Sequence, residues 1–419
     1  MEPEKINSIL IPLFRTESGR MSSVLTRLLG FQNLETAEDI VQDTLLQAMS
    51  TWKYKGVPDN PSAWLYAVAK RKAIDVLRKN KVRSMLDPEV ARFLSSEYTL
   101  SPTVNQYFLE NEIQDSQLRM IFALCHPSIP YDAQIALTLK TLCGLSVSEI
   151  AKSFLTNEET ITKRLFRARE KIREEKIKLD VPYTTDLSQR LDAVHHTLYL
   201  LFNEGYNSSH PDVLIREDLC AEAIRLMLIL TSNQKTNTSE TNALLALMCL
   251  QAAREDARLN SFNGIILLKD QDRSKWNQAL IKKGLQFLDQ ATGDNSMSAY
   301  HLEAAIAGLH AVAKSFEETD WHKIVTLYDL LEKIKAHPII QLNRAIAIGY
   351  ANGRGEGLKA ILKINGLENS HLYHAALADF YFAEGMKEKS ANAYRQALNL
   401  VTSSSEKELL QKKLSLVTE

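Results

Sequence analysis

The sequence predicts an all-α fold. Glycine and proline are sparse, at 15 and 11 of 419 residues, while Ala, Leu, Lys and Glu are abundant. In each segment considered below, apolar residues recur three or four positions apart, which is the spacing of one helix face. The length favours two or three domains. The shares of hydrophobic (45%) and charged (24%) residues are typical of a soluble globular protein.

Composition and motifs narrow the range of functions. The net charge is −1, so any surface that binds a polyanion has to be local. The N-terminus lacks an apolar signal core, and no run of 18 apolar residues occurs. We therefore expect a cytoplasmic protein without membrane contact. Neither a Ser-His-Asp arrangement nor a Gly-rich phosphate loop nor metal-spaced carboxylates are evident, so the sequence predicts no catalytic residue, metal or cofactor. No Cys-x-x-Cys pair occurs, which favours free thiols at Cys125, Cys143, Cys220 and Cys249.

Composition shifts divide the chain into four parts. The segment that begins "SMLDPEVARF" lacks sustained helical periodicity and carries Asp-Pro and Ser-Pro, which favours a linker. The stretch "LDVPYTTDLSQR" is interpreted as a second junction. The predicted parts are a helical module, a linker, a second helical module and a long helical extension, at residues 1–84, 85–109, 110–178 and 183–419.

The first module contains a helix with an acidic face. In "TAEDIVQDTLLQAM", helical spacing predicts one buried stripe, consisting of Ile40, Val41, Leu45, Ala48 and Met49. The opposite face carries Asp39, Gln42, Asp43 and Leu46. Acidic residues early in a helix also suit the helix dipole, so a structural explanation exists. A polar stripe with one apolar contact equally suits a basic partner surface.

The next helix is basic and carries aromatic residues. In "AWLYAVAKRKAIDVLRKNKVR", one face is apolar, while Trp64, Lys70, Arg71 and Arg78 point away from it. Asn60-Pro61-Ser62 is a typical helix start. Residues 53–83 hold nine Lys or Arg and two Asp. Phosphates favour such a face, and an aromatic side chain can stack on an unpaired base. The alternative is a solvated basic surface with Trp64 in the core.

The second module ends in a helix-turn-helix pattern. In "LSVSEIAKSFLTNEETITKRLFRAREKIR", Ser146 or Ser148 can cap a short helix, and Asn157 can cap a longer one. Phe154-Leu155-Thr156 is the predicted turn. The longer helix buries one stripe, consisting of Ile161, Leu165, Ala168 and Ile172. Such a helix can lie in the major groove with its first residues on base edges. The alternative is an ordinary helical hairpin.

Together these motifs resemble the extracytoplasmic-function branch of the sigma-70 family of bacterial RNA polymerase sigma factors. "AEDIVQDTLLQAMSTW" and "NPSAWLYAVAKRKAIDVLRKNKVR" resemble sigma region 2, and "SVSEIAKSFLTNEETITKRLFRAREKIR" resembles region 4. The segments "LYLLFNEGYNSSHPDVLIREDLCAEAIRL" and "LLKDQDRSKWNQALI" resemble the subgroup with a long tetratricopeptide-like C-terminal extension. The resemblance spans nearly the whole chain. It implies a region 2 helical bundle, a region 4 helix-turn-helix and a helical array.

The resemblance implies roles for matching residues. The polymerase core, through the clamp helices of its largest subunit and its flap, would be the protein partner, and promoter DNA would be the other ligand. Residues that would contact the core are Asp39, Gln42, Asp43 and Leu46. Residues that would hold the single-stranded −10 element are Lys55, Asn60, Ser62, Trp64, Lys70, Arg71, Arg78 and Lys79. Residues that would read or clamp the −35 duplex are Glu159, Thr160, Thr162, Lys163, Arg164 and Arg167. The proline-rich loop "YKGVPDNPSAW" departs from the family pattern and leaves its base preference open.

The extension gives a weaker signal. Ala347, Tyr350 and Ala360 recur 31 positions later as Ala378, Tyr381 and Ala391, near the period of tetratricopeptide helix pairs. Polar clusters such as "DQDRSKW" either line a groove or form caps and buried ion pairs. The subgroup resemblance implies that the extension controls activity, by docking on the sigma modules or the polymerase. The main rival hypothesis is a one-component helix-turn-helix regulator that does not join the polymerase. An enzyme has the least support.

Overall fold

The computed structural model describes residues 3–78, 97–154, 156–182, 186–207, 215–260, 264–293 and 297–418, without the side chains of residues 3–9, 11, 12, 152, 153 and 186. These ranges contain 19 α-helices and no β-strand, which confirms the all-α prediction. No helix among them is both long enough and apolar enough to cross a membrane. The chain divides into two compact units: Met1–Glu204 with Ala221–Leu230, and Gly205–Cys220 with Thr231–Glu419.

The first unit begins with a bundle of four helices. Its core joins the buried sides of α1, α2 and α3, and includes Leu25, Val41 and Leu65. The bundle consists of α1 (Pro3–Leu29), α2 (Leu34–Lys55), α3 (Pro61–Arg78) and α4 (Glu97–Tyr107).

Helix α4 corrects the prediction of a linker over 85–109. Residues 85–96 lie outside the described part, but the chain from Glu97 to Tyr107 is helical even though it contains Pro102. Leu100, Val104 and Phe108 are buried in the core of the first bundle. Their spacing of four residues is a helical period, and burial of that stripe stabilises the helix in spite of its proline. The Asp-Pro and Ser-Pro pairs concealed this pattern.

Four further helices complete the region that carries the helix-turn-helix. They are α5 (Glu110–Leu124), α6 (Tyr131–Thr141), α7 (Val147–Ser153) and α8 (Glu158–Glu174). Gly19 of α1 marks where they meet the first bundle. A Cβ atom at Gly19 would lie 1.9 Å from the Leu142 carbonyl oxygen. Only glycine therefore permits this close approach of α1 to the chain after α6.

The first unit continues beyond the expected boundary near 178–183. It includes α9 (Asp186–Tyr206) up to Glu204 and much of α10 (Glu217–Ser232). Arg190 donates a hydrogen bond to the carbonyl oxygen of Phe122 in α5. The rings of Tyr131 and His196 lie 4.9 Å apart. These helices belong with the helix-turn-helix region, and their apolar sides are buried at Val194, Leu198, Leu226 and Leu230.

The second unit is a succession of helices, with a long connection over 253–277 between its first two and shorter connections after them. It contains α11 (Ser239–Ala252), α12 (Gln278–Gln290), α13 (Ala299–Val312), α14 (Trp321–Ile334), α15 (Pro338–Ala351), α16 (Arg354–Ile361), α17 (His371–Ala383), α18 (Lys387–Leu400) and α19 (Ser404–Thr418). The 31-residue recurrence falls on two successive hairpins, α15 with α16 and α17 with α18. Ala347 and Ala378 are buried at equivalent places in them, where small residues let helices pack closely.

Candidate functional site

The outer side of α2 is polar and open. Ile40, Val41 and Ala48 point into the core. The opposite side carries Asp39, Gln42, Asp43 and Leu46, all exposed, and we call these four residues the α2 polar face. Leu46 is 62% exposed. A single exposed apolar side chain is ordinary, whereas a contiguous exposed apolar patch marks a partner surface.

One part of the α2 prediction is wrong. Met49 was expected in the buried stripe but is 57% exposed, one turn after Leu46. The core side at this level is occupied by Ala48 and Trp52, both buried. Met49 therefore extends the apolar part of the α2 polar face, and adaptable methionine side chains are common at binding surfaces.

Hydrogen bonds of Asn60 and Ser62 fix the loop between α2 and α3 at the end where it joins α3. The side-chain oxygen of Asn60 accepts a hydrogen bond from the Ala63 amide at 3.0 Å, as expected of a helix cap. Ser62 donates a hydrogen bond to the Glu17 carboxylate at 2.9 Å, and Tyr66 donates another. Lys55 is exposed at the first end of the loop. Ser62 therefore holds the start of α3 against α1.

Trp64 is a half-buried residue that packs inward. Its ring meets that of Trp52 edge-on, with centroids 5.4 Å apart, and it joins the core of the first bundle. This contact favours the structural interpretation of Trp64 over direct stacking on a base. Edge-to-face aromatic pairs stabilise a fold by about 0.5–1.5 kcal/mol beyond their burial.

The basic side of α3 is partly open. Arg71 and Arg78 are exposed. Lys70 is half-buried with its amine 5.3 Å from the centre of the Phe108 ring, and burial lowers the pKa of this amine. Lys72 lies 3.4 Å from Asp43 of the α2 polar face. Lys79 lies outside the described residues.

Tyr54 was missed by the sequence analysis. It is 84% exposed on the last turn of α2, next to Lys55. The amine of Lys53 lies 5.9 Å from the centre of its ring. The signal was present in "TWKYK", since Trp52 belongs to the buried stripe and a helical residue two positions later points to the other side. The loop thus begins with an exposed aromatic ring between two lysines.

The helix-turn-helix follows the predicted pattern. Ser146 and Glu149 cap α7 reciprocally, with hydrogen bonds of 2.8 and 3.1 Å between each side chain and the other residue's amide. Asn157 caps α8 by accepting from the Thr160 amide at 2.8 Å. The predicted stripe of α8 is buried, namely Ile161, Leu165, Ala168 and Ile172. Leu155 of the turn lies outside the described residues.

The predicted DNA-reading residues of α8 differ in exposure. Glu159 and Lys163 form an exposed ion pair at 2.6 Å. Thr162 is exposed and donates to the Glu158 carbonyl. Arg167 is exposed, whereas Arg164 is half-buried and lies 3.5 Å from Asp132. The first turns of α8 therefore present Glu159, Lys163 and Arg167 to solvent.

A cleft joins α8 to α2. The Arg169 guanidinium lies 2.6 Å from the Glu38 carboxylate, and both side chains are less than a fifth exposed. Glu38 also accepts a hydrogen bond from Thr141 at 2.9 Å. Arg173 and Glu35 form a second, exposed pair at 3.2 Å. The cleft has a volume of about 450 Å³ and is lined by Glu35, Glu38, Asp39, Gln42, Lys140, Val147, Thr162, Leu165 and Arg169. The α2 polar face and the helix-turn-helix thus share one cleft.

Comparison with known proteins agrees with this arrangement. Residues 13–83 match the model for sigma-70 region 2, and residues 119–172 match the model for sigma-70 region 4. Residues 190–292 match a family of unknown function, DUF6596. The two modules therefore define a protein of the transcription initiation machinery.

Whole-chain similarity adds the extended architecture. An uncharacterized protein of Rhizobium meliloti is 33% identical over 390 residues, which cover 93% of this chain and 92% of the relative. The RNA polymerase sigma factor SigV of Bacillus subtilis is 29% identical over 137 residues, 33% of this chain and 74% of its own. The ECF sigma factor SigW of the same organism is 28% identical over 158 residues, 36% and 79% of the two chains. No solved structure matches significantly.

The chain belongs to the extracytoplasmic-function sigma factors of the sigma-70 family, in a form with a long C-terminal extension. It is an RNA polymerase sigma factor, and its modules bind core polymerase and promoter DNA. This conclusion excludes the rival regulator that does not join the polymerase. That hypothesis also left the α2 polar face unexplained.

Proposed function

We propose that the α2 polar face binds the clamp helices of the largest polymerase subunit. The support is its geometry: two exposed carboxylates, an amide and two exposed apolar side chains lie on one side of one helix. Opposite charges steer association, and a central apolar contact adds affinity. The flap of the polymerase is the proposed second contact, through the helix-turn-helix.

The experiment for this face is Asp43→Lys. Charge reversal at an interface costs about 2–5 kcal/mol when the pair is buried in the complex. We expect core polymerase binding to weaken at least about thirtyfold, with loss of run-off transcription from fragmented genomic DNA. The matched control is Glu388→Lys, an equal charge change at an exposed position of the second unit. Equal binding by both variants would contradict the proposal.

We propose further that the loop from Lys55 to Ser62, with Tyr54 and the basic side of α3, holds the single-stranded −10 element. The exposed ring of Tyr54 offers a stacking surface, and base stacking on an aromatic contributes about 1–3 kcal/mol. Arg71 and Arg78 would contact phosphates. We assign Trp64 to the support of this loop. Opening the duplex costs roughly 1.4 kcal/mol per step, so a few such contacts would help the melted region persist.

The first residues of α8 are proposed to read the −35 duplex. Glu159, Thr160 and Lys163 lie in its first two turns, which enter the major groove in helix-turn-helix proteins. Thr162, Arg164 and Arg167 would add base or backbone contacts. The chemistry of the chain is then binding alone, and we infer that it works in the cytoplasm, where its partners are.

Residues 183–419 are proposed to modulate activity. The support is that the first helices of this part pack on the helix-turn-helix region. The Arg225 guanidinium donates to the Gln117 side chain at 3.1 Å, and Cys125 lies 3.7 Å from the Thr197 hydroxyl. We propose a tetratricopeptide-like architecture for the later hairpins. Stacked hairpins of that kind present a binding surface.

The contacts of α9 and α10 dictate where a test truncation has to fall. A chain that ends after Leu230 keeps the parts of α9 and α10 that belong to the first unit and lacks the later helices. We expect it to bind core polymerase and to transcribe at a level that no longer depends on growth conditions. Transcription and polymerase affinity identical to those of the full chain would contradict a regulatory role.

A further inference from the structure

The second unit contains a cavity lined by aromatic, aliphatic and charged side chains. Its volume is about 460 Å³, within the range of small-molecule sites. It lies among helices α14 to α19 and the segment just before α12. Residues that matter for the argument are Lys269, Phe316, Trp321, Tyr350, Arg354 and Leu416.

The aromatic rings form one packed group. Trp321 and Tyr350 stack with centroids 4.5 Å apart at 22° between their planes. Phe316 meets Tyr350 edge-on at 4.9 Å and lies 5.1 Å from Trp321. Stacked and edge-on contacts hold these rings in fixed positions. They offer a rigid aromatic wall, and a flat aromatic body can pack against the edges of such rings.

Two cations at this cavity have no carboxylate partner in the described part of the chain. The Arg354 guanidinium lies 3.9 Å from the centre of the Tyr350 ring, and Lys269 is exposed at the rim. A third cation, Lys413, is paired with Asp379 at 2.7 Å. Asp379 is therefore neutralised, and Arg354 and Lys269 leave an excess of positive charge.

Two further cations lie elsewhere in the second unit, and one of them, Arg273, donates hydrogen bonds to the carbonyl oxygens of His310 and Ala313 at 2.6 and 2.7 Å. The guanidinium groups of Arg254 and Arg273 lie 5.3 and 4.6 Å from the ring of Trp276. No carboxylate of the described residues lies within ion-pair distance of either one. Burial lowers the pKa of both, and Arg254 lowers the pKa of Arg273 further. The acidic residue that faces Arg273, Glu317, is exposed. Neither arginine lines the cavity, so the positive charge at the cavity itself rests on Arg354 and Lys269, and cations beside low-dielectric walls attract an anion.

We propose that this cavity binds a small organic anion with a flat apolar body. The body would lie against the Trp321 and Tyr350 rings, and the anionic group would pair with Arg354 and Lys269. A guanidinium suits a carboxylate or sulfonate because it can donate two parallel hydrogen bonds. The proposal goes beyond the regulatory role of the extension and does not depend on it, because binding is measured without polymerase.

The probe for this site is 8-anilinonaphthalene-1-sulfonate, added to the full chain and followed by fluorescence. We expect one saturable site with affinity at least about tenfold higher than that of the uncharged N-phenyl-1-naphthylamine. Arg354→Met keeps the apolar stem over Tyr350 and removes the charge. It should weaken sulfonate binding about tenfold and leave the uncharged probe unaffected. The matched control is Lys359→Met on the same helix, which pairs with Glu356 away from the cavity.

A blocking variant separates this cavity from other apolar surface. Ala383→Trp fills it from an exposed wall position, so it should abolish binding of both probes without changing the thermal unfolding. If Ala383→Trp unfolds the chain, Leu416→Trp serves instead, since Leu416 is 58% exposed. Sulfonate binding that survives the block, or that is equal in Arg354→Met and the parent chain, would overturn the proposal. If an acidic peptide displaced the sulfonate more strongly than small carboxylates do, the proposal of a small-molecule ligand would be wrong and the ligand would be a protein segment.

Discussion

The two helices that we propose bind DNA, α3 and α8, have similar N-terminal caps but different side-chain contacts with the rest of the protein. Each begins at an asparagine whose side chain accepts a backbone N–H three residues on, and each carries several basic residues outward. On the basic side of α3, Lys72 lies 3.4 Å from Asp43 in an exposed pair. In contrast, α8 is bound to α2 by the mostly buried pair of Arg169 and Glu38 and the exposed pair of Arg173 and Glu35.

This difference shows that charge near DNA-binding surfaces serves two purposes in the molecule. Exposed cations such as Arg71 and Arg167 are open to phosphates. Arg169 instead holds the helix-turn-helix against α2, at the cleft that the α2 polar face also lines. We expect simultaneous use of the two proposed surfaces, on polymerase and on −35 DNA, to require opening of that cleft, and the pair of Arg169 and Glu38 to oppose it.

The largest expected effect comes from breaking that pair. Arg169→Met leaves the Glu38 carboxylate, which is 11% exposed, with Thr141 as its partner. We expect a loss of about 2–3 kcal/mol, at or below the lower end of the roughly 3–5 kcal/mol that a fully buried pair costs when one member is lost. We expect the first unit to unfold at clearly lower denaturant concentration. Arg173→Met, at the exposed pair, should cost no more than about 1 kcal/mol. Glu38→Gln combined with Arg169→Met should recover part of the loss, and equal losses for Arg169→Met and Arg173→Met would contradict the distinction.

Trp64 and Tyr54 separate support from contact at the −10 surface. Trp64→Ala removes a half-buried ring from the core, so we expect a loss of about 2 kcal/mol, below the roughly 3–5 kcal/mol typical of fully buried rings. Tyr54→Ala should leave stability within about 0.5 kcal/mol. It should weaken binding of holoenzyme to a pre-melted promoter about tenfold, in line with the loss of one stacking contact. Thermal unfolding measures the stability of both variants, and a filter-binding titration measures their promoter binding. If Trp64→Ala weakened promoter binding and Tyr54→Ala lowered stability, Trp64 rather than Tyr54 would be the residue that stacks on the base.

Local patterns in the sequence were sufficient for the helices of the two sigma modules other than α4, and for most of their buried stripes. The stripe from Ile161 to Ile172 and the polar face of α2 follow from helical spacing alone, because neighbours three and four residues apart share a side. Met49 fell on the wrong side because it lies at the edge of its stripe, where the width of Trp52 decides burial. Helix α4 was missed because proline pairs outweighed three apolar residues at spacing four.

Contacts between distant segments could not be predicted in this way. Arg169 and Glu38 are 131 positions apart, and no local period links a basic residue to one carboxylate among many. The burial of Trp64 against Trp52 depends on how α2 and α3 cross. The aromatic cavity of the second unit likewise combines residues from several helices. Its members look like ordinary core positions in the sequence, and only their arrangement sets Arg354 and Lys269 apart.

Exposed arginines on the two helices should behave alike, which sharpens the contrast with Arg169. Arg167→Ala on α8 and Arg71→Ala on α3 each remove one proposed phosphate contact. Each should lower the slope of log affinity against log salt by about 1 and weaken binding several-fold. Arg167→Ala is measured with holoenzyme on duplex promoter and Arg71→Ala on pre-melted promoter. An unchanged slope in both variants would mean that neither arginine contacts DNA.

The smallest effects are expected at the two asparagine caps, where α3 and α8 are most similar. Asn60→Ala and Asn157→Ala each remove one acceptor for a helix N–H, which costs about 1 kcal/mol, whereas the glycine variants cost a few tenths. Stability should therefore fall equally, as read by thermal unfolding. The two variants should affect different DNA-binding steps, because Asn157 fixes the turn that carries Glu159 and Thr160, while Asn60 fixes the end of the −10 loop. We expect Asn157→Ala to weaken duplex −35 binding and Asn60→Ala to weaken single-strand capture. If both variants weakened the same step, the division of labour between the two helices would be wrong.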